Sequence, residues 1–240
     1  MKYYKTVFIS DVHLGTRRCE VQRFLDFLHG FHADRFYLLG DIIDVWEIGL
    51  TRYFPQEHWN ALRSVLGKAK HGTKVYYVPG NHDQSLKKIC PVEDLGNVSV
   101  VEKSEYRTAT GKRLLLIHGD VVDRYLFFRN NGVMKFVADL VYRALTVVDF
   151  LSRPLFPRHR SLLIVLQLAL VRLREYSRRF EAAVADYARR AGYDGVVCGH
   201  DHSPGIRGED GFLYVNCGDW AVNCTAVVED ADGGLRVIRN

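Results

Sequence analysis

Cysteine is scarce and follows no ligand spacing: Cys19, Cys90, Cys198, Cys217 and Cys224 are five in 240 residues, an odd number with no C-x-x-C pair. Cys198 lies in an apolar, strand-like run, where a buried thiol is the default. A reduced, cytoplasmic setting is expected. Long apolar runs are also missing. The longest uncharged one, Leu162 to Val171, is too short to span a bilayer. Met1 leads through Lys2 and Lys5 directly into Thr6-Val7-Phe8-Ile9, with no apolar region of the kind a signal peptide carries. The expectation is a soluble chain, or at most one attached to a membrane surface. Internal repeats and low-complexity tracts are absent too. A composition 48% hydrophobic and 25% charged excludes disordered and fibrous classes, and the length suffices for one large domain, 1–240, with a sizeable core.

The net charge of +5 is unevenly spread. Val121 to Arg190 holds thirteen Lys/Arg and six Asp/Glu, a local +7 that leaves −2 for the rest. One basic segment says more about partners than the overall balance does.

Short runs rich in Val, Ile, Tyr and Phe alternate with helix-period segments. The runs are Thr6–Ser10, Phe36–Leu39, Val75–Val78, Leu114–Ile117 and Val196–Cys198. Val21, Phe24, Leu25 and Leu28 recur at helical spacing, as do Trp59, Leu62, Val65, Leu66 and Ala69 between Pro55 and Gly72. This is the βαβ rhythm of an α/β fold. After His200 the pattern changes to strands and turns, with Phe212–Asn216, then Thr225–Glu229 and Leu235–Ile238 as a hairpin about Asp232-Gly233-Gly234. Between about 120 and 192 the rhythm breaks into a long, mostly helical stretch interrupted at Pro154 and Pro157. It reads as a helical cap inserted between two core strands.

Each of five strand-like runs ends on a polar cluster. Asp11 and His13 form D-V-H, and Gly40-Asp41 with Asp44 form G-D-I-I-D. Gly80-Asn81-His82-Asp83 follow the third run, His118-Gly119 the fourth, and Gly199-His200-Asp201-His202 the fifth. Ligands of α/β sheets bind beyond the carboxyl ends of strands, so these clusters are expected to converge. Taken singly, D-V-H reads as a surface turn, G-N-H-D as a tight turn, and His118 as a hydrogen-bonded core histidine. Five such turns in this order point instead to metal. Two divalent cations about 3.5–4 Å apart repel, so an anionic ligand between them is needed, and Asp41 is the natural bridge. Imidazole, carboxylate and amide oxygen without thiolate suit Mn2+, Fe, Co2+ or Zn2+. Alternate residues on an extended segment share a face, so Asp11 and His13 can meet one ion. His200 and His202 could reach both ions from one loop. The glycines before Asp41, Asn81 and His200 are read as permitting sharp turns.

These five clusters resemble the signature of the calcineurin-like metallophosphoesterases, over the whole core from Asp11 to His202. The resemblance implies a four-layer α/β/β/α sandwich with two facing sheets. It implies Asp11, His13, Asp41 and His202 on one metal, and Asp41, Asn81, His118 and His200 on the other. A hydroxide held by two divalent ions, Mn2+ by preference, would then attack phosphorus, with Asn81 helping to stabilise the phosphoryl oxygens. The short gap from D-V-H-L-G to Y-L-L-G-D-I-I-D-V-W, and the helical cap before G-H-D-H, are similar to the UDP-2,3-diacylglucosamine hydrolases, the lipid A pathway pyrophosphatases. That branch carries G-N-R-D where this chain has His82. In the wider superfamily this histidine pairs with the second Asp of G-D-x-x-D, here Asp44. An imidazole so held can protonate a leaving oxygen; the plainer alternative is that His82 binds a phosphate oxygen.

The cap segment interleaves apolar residues, among them Phe127, Phe128, Phe136, Leu140 and Phe150, with Arg143, Arg153, Arg158 and Arg160, and Arg172, Arg174, Arg178 and Arg179 follow. Helices packing on one another with solvated arginines would explain it. So would an acyl-chain cleft with a cationic rim for phosphates or an anionic membrane surface on the inner, cytoplasmic face. A nucleic-acid groove is disfavoured, because the phenylalanines fall at helix-core spacing. Gly218-Asp219-Trp220 reads equally as pocket lining or as a turn buttressed by a buried Trp. Three functions are therefore carried forward: a pyrophosphatase of a nucleotide-sugar lipid, a hydrolase of a different, soluble phosphodiester or phosphomonoester, and a non-catalytic metal-binding scaffold.

Overall fold

The computed structural model describes residues 1–89, 97–122 and 172–240. The chain divides into two compact units, residues 1–120 with 184–240, and 121–183. Most of the expected cap at 120–192, including its apolar stripe and its arginines from Arg143 to Arg160, lies outside the described residues. The sheets and the candidate site belong to the first unit.

A six-stranded sheet has the order β11-β10-β1-β2-β3-β4, with β1 Lys2–Ile9, β2 Phe31–Leu39, β3 Lys74–Val78, β4 Val98–Val100, β10 Thr225–Glu229 and β11 Leu235–Arg239. The second sheet has the order β5-β6-β7-β9-β8, with β5 Ser104–Arg107, β6 Arg113–Leu116, β7 Gly195–Cys198, β8 Gly205–Glu209 and β9 Phe212–Asn216. Helices α1 (Val21–Gly30) and α3 (Gln56–Lys70) connect β1, β2 and β3, which pair in parallel; the short α2 (Val45–Thr51) and α4 (Ser85–Ile89) follow β2 and β3. The last described helix, α5, is Arg172–Arg190.

Period-two alternation explains the layering. Along β1, Val7 and Ile9 enter one core with α1 and α3, while Phe8 enters a second core between the sheets. β2 repeats this, with Phe36 and Leu38 in the first core and Tyr37 and Leu39 in the second. Phe8, Tyr37 and Tyr76 are register partners and stack in a row, with ring centroids 5.2 and 4.7 Å apart. Tyr106 of the facing sheet meets Phe8 edge-on at 5.1 Å. Over the outer face of the second sheet, Val184, Ala185 and Ala188 of α5 are buried and the Arg189 guanidinium sits 4.5 Å above the Phe212 ring. The architecture is the expected α/β/β/α. No helix among the described residues is long and apolar enough to cross a membrane.

Two local expectations shift. β1 and β2 begin earlier than their apolar runs, because parallel pairing reaches back to Lys2↔Phe31, through the exposed Lys2, Tyr3 and His32. On α3 the buried face is His58, Ala61, Val65 and Ala69, while Trp59 and Leu66 are exposed. The small alanines let the helix lie close to the sheet, and the larger side chains fall to its flanks.

Trp220 wedges the first core against the end of β1. Fully buried, it packs on Phe24 and Phe27 of α1 at 4.9 and 5.0 Å, and its carbonyl accepts a hydrogen bond from Glu20 N–H at 2.8 Å. Trp220→Ala is expected to cost about 3–5 kcal/mol of stability. Trp220→Phe should cost less, since the indole N–H, which has no hydrogen-bond partner among the described residues, leaves with it. Urea unfolding at unchanged m measures both; a loss below about 1 kcal/mol in the alanine variant would contradict the wedge.

Candidate metal centre

Backbone pairing runs on past the strand ends. Asp11 N–H donates to Gly40 O at 3.0 Å, His13 N–H to Asp41 O at 2.9 Å, and Leu14 N–H to Ile42 O at 2.9 Å. In the second sheet Gly199 N–H donates to His118 O at 2.9 Å. Bonds between the two sheets then join the loops. His200 N–H donates to Asp11 Oδ2 at 2.9 Å, the His118 ring Nδ1 lies 2.9 Å from Leu39 O, and Trp220 N–H reaches Asp11 O at 3.0 Å.

The side chains so gathered form three overlapping groups: Asp11, His13 and His202; His13, Asp41 and His82; Asp41, His118 and His200. Asp41 Oδ2 is 3.3 Å from His118 Nε2, which is 3.2 Å from His200 Nδ1. Asp11 Oδ1 is 3.1 Å from His202 Nε2 and 3.8 Å from His13 Nε2. Asn81 Oδ1 is buried and accepts no hydrogen bond among the described residues. Every residue named as a candidate ligand thus lies at one end of the paired sheets.

The backbone is bent to achieve this. Asp11, His13, Asp41, His200 and His202 all have positive φ, between 52° and 71°, and they are five of the eight such non-glycine residues among those described. Left-handed conformations cost a non-glycine residue about 1–2 kcal/mol, and such strain gathers at functional sites. The glycines serve differently from expected. Gly40 does take a positive φ of 82°, but Gly80 and Gly199 do not. Their role is clearance, since a Cβ at Gly80 would collide with Asp41 and His118, and one at Gly199 with Ser10 and Asp11.

Asp44 has two partners where one was expected. Its Oδ2 lies 3.1 Å from His13 Nδ1 and 2.9 Å from His82 Nδ1, while its Oδ1 caps α2 by accepting Glu47 N–H at 2.8 Å. The His82 approach is at ion-pair distance but out of line for a hydrogen bond. Aiming both histidines through Nδ1 turns each Nε2 into the site, the usual way a carboxylate orients a metal-binding imidazole.

Electrostatics follow. Burial pushes the Asp11, Asp41 and Asp44 carboxyls up, yet neighbouring histidines hold all three below the ordinary range: His202 and His118 for Asp11, His118 chiefly for Asp41, His13 and His82 for Asp44. Burial pushes the His118 and His202 rings down, but Asp41 raises the first, and Asp11 lifts the second to about 9. His82 is raised against its burial by Asp44 and Asp41. Ionised carboxylates, imidazoles that hold protons in place of a cation, and the orphaned oxygen of Asn81 form a donor set that fits divalent metal, which binds by displacing such protons.

Several supporting residues escaped the sequence reading. Asp83 accepts from Gly80 N–H at 2.6 Å, Ile42 N–H at 2.9 Å and the Tyr77 hydroxyl at 2.5 Å, tying two site loops together. Asn216 Nδ2 donates to Gly199 O at 3.0 Å and Asp201 Oδ1 at 2.6 Å, and its Oδ1 accepts Gly218 N–H at 2.8 Å. The signal was present: Asn216 closes a strand-like run as the other clusters do. Gly218-Asp219-Trp220 is a turn on a buried Trp, its Asp219 carboxylate bonded to Ala221 and Val222 N–H and to Asn223 Nδ2, which also holds His202 O at 3.0 Å.

Comparison with known proteins places this geometry. The calcineurin-like phosphoesterase family profile matches residues 4–204. The chain belongs to that family. It is a metal-dependent phosphoester hydrolase. It is 27% identical over 216 residues to the UDP-2,3-diacylglucosamine hydrolase of Blochmanniella pennsylvanica, covering 83% of this chain and 80% of that one. It is 26% identical over 240 residues to the enzyme of the same name from Haemophilus influenzae, covering 95% of each. Among solved structures, Vacuolar Protein Sorting 29 from Cryptosporidium parvum is similar at 14% identity and a TM-score of 0.44, over 97% of this chain and 94% of that one.

His118→Ala and His200→Ala should each lose at least one equivalent of metal, with circular dichroism unchanged. kcat should fall by more than the roughly 100-fold that removing an outer-shell partner causes. Elemental analysis of the purified variants checks this, and wild-type metal content with wild-type activity in both would contradict the assignment.

Proposed function

We propose that the protein is a dinuclear phosphohydrolase that cleaves the pyrophosphate bond of a nucleotide-sugar lipid, UDP-2,3-diacylglucosamine by preference. The observation that carries the dinuclear reading is Asp41, common to two of the three side-chain groups and placed between His13 and His118. Asp11, His13 and His202 would hold one ion, Asn81, His118 and His200 the other, and Asp41 would bridge them. Nitrogen and oxygen donors without sulfur favour Mn2+, with Fe, Co2+ or Zn2+ as substitutes. Two divalent cations held there would supply a nucleophilic water at neutral pH and neutralise charge on the phosphoryl oxygens.

The chain's own residues do the rest. Asn81 directs its amide toward the phosphoryl group. His82, with Nδ1 facing Asp44, keeps Nε2 for a proton. As the water oxygen bonds to phosphorus and the water releases a proton to solvent, the bond from phosphorus to the leaving oxygen breaks. That oxygen takes the proton from His82 Nε2.

Similarity to UDP-2,3-diacylglucosamine hydrolases along nearly the whole chain supports the substrate, as does the apolar, arginine-rich segment after residue 120. That segment would act as a cap, gripping acyl chains and meeting an anionic inner membrane surface from the cytoplasm. One observation favours a second reading, a soluble phosphodiester: His82 stands where that branch has arginine. Nothing favours a scaffold without catalysis, since no candidate ligand is replaced.

The deciding assay compares kcat/KM on UDP-2,3-diacylglucosamine with that on its deacylated analogue, Mn2+ present. The acylated substrate should be favoured at least roughly tenfold, the equivalent of two buried methylenes at ~0.8 kcal/mol each. Equal rates, or no turnover of either beside brisk cleavage of a soluble diester, would end the lipid reading.

A further inference from the structure

Trp46 is the second residue of α2, two residues after Asp44, and it is 54% exposed. An exposed tryptophan needs a reason only when it touches something, and this one does. Its ring centroid lies 4.6 Å from that of His82, with the planes inclined at 39°. The His13 ring also lies against His82, with centroids 4.9 Å apart and planes at 88°.

The backbone of His82 is well tied. Its N–H donates to Asp41 Oδ1 at 2.8 Å, and its carbonyl accepts from Val45 N–H at 3.2 Å. Its ring is not. The one polar contact of Nδ1, Asp44 Oδ2 at 2.9 Å, is out of line for a hydrogen bond. The ring's other contact, Nε2 to Asp41 Oδ2 at 3.9 Å, is too long for a hydrogen bond; the terminal torsion of a histidine is broad and nearly two-fold, so these two ion pairs leave two ring orientations open. Only one of them points Nε2 at the phosphoryl site. An arginine at this position, a fork of five donors, would not need such aiming.

We propose that Trp46 is a positioning residue for His82: its indole and the His13 ring together hold the imidazole so that Nδ1 stays on Asp44 and Nε2 faces the leaving oxygen. This rests on the reading of His82 as the proton donor.

Trp46→Ala, Trp46→Phe, His82→Ala and the Trp46/His82 double alanine variant of the full, metal-loaded chain would be assayed on aryl phosphodiesters of graded leaving-group pKa. His82→Ala should slow poor leaving groups most. Trp46→Ala should show the same trend, losing at least roughly tenfold more kcat on the poorest than on nitrophenol, with KM nearly constant. Trp46→Phe should recover most of the loss, and the double variant should be no slower than His82→Ala alone. A uniform loss, a change in KM alone, or additive effects would overturn the proposal and make Trp46 a substrate contact or a bystander. If His82→Ala itself shows no leaving-group trend, the donor reading falls and the proposal with it, while the lipid reading stands or falls on its own assay. Independently of activity, the His82 ring protons in the Zn2+-loaded chain should show an upfield ring-current shift in NMR spectra that Trp46→Ala abolishes. Unshifted ring protons in the wild-type protein would contradict the contact.

Discussion

Three carboxylates, Asp11, Asp41 and Asp44, are buried within reach of one another at the end of two paired sheets. Removing one carboxylate from water is costly and three together more so, unless positive charge comes with them. The fold sets five histidines beside them from four separate loops, each within 4 Å of one of the carboxylates or of another of the histidines, and the carboxylates raise the His82, His118 and His202 rings toward their charged form. Left-handed backbone at Asp11, His13, Asp41, His200 and His202, and the side-chain-free approach at Gly80 and Gly199, are the distortions that let these groups meet. The same site is therefore strained, concentrated in charge and open to a cation that can replace protons on imidazole.

Rigidity for this arrangement comes from the layers beneath. The stacked row Phe8, Tyr37, Tyr76 fixes the register of β1, β2 and β3, and that register sets Asp11 against Gly40 and His13 against Asp41. Trp220 links packing to chemistry directly, with its ring in the first core and its backbone N–H on the Asp11 carbonyl. Asp83 and Asn216 do for the loops what the aromatic row does for the strands.

Much of this was legible in the sequence because strands buried on both faces write themselves as apolar runs, and a polar cluster at the end of each run marks the carboxyl edge. β4, β5 and β8 were not legible: Ser104-Glu105-Tyr106-Arg107 buries only Tyr106, and Gly205–Glu209 buries no side chain. Nor was α2, a seven-residue helix with nothing buried that starts directly after the G-D-I-I-D motif. The second partner of Asp44 escaped because His13 and His82 arrive from different strands, and no spacing along one chain shows that they meet. Positive φ at Asp and His is likewise silent in sequence, where only glycine advertises it. At Gly80 and Gly199 the advertisement misled, since those glycines make room instead of turning the chain.

The arrangement stands or falls on whether Asp41 joins two ions. Titrating the metal-free chain with Mn2+ and recording electron paramagnetic resonance spectra tests this most directly. An exchange-coupled multiline signal should grow to two ions per chain and vanish in Asp41→Asn. An uncoupled Mn2+ signal that saturates at one ion per chain in a fully active protein would contradict it.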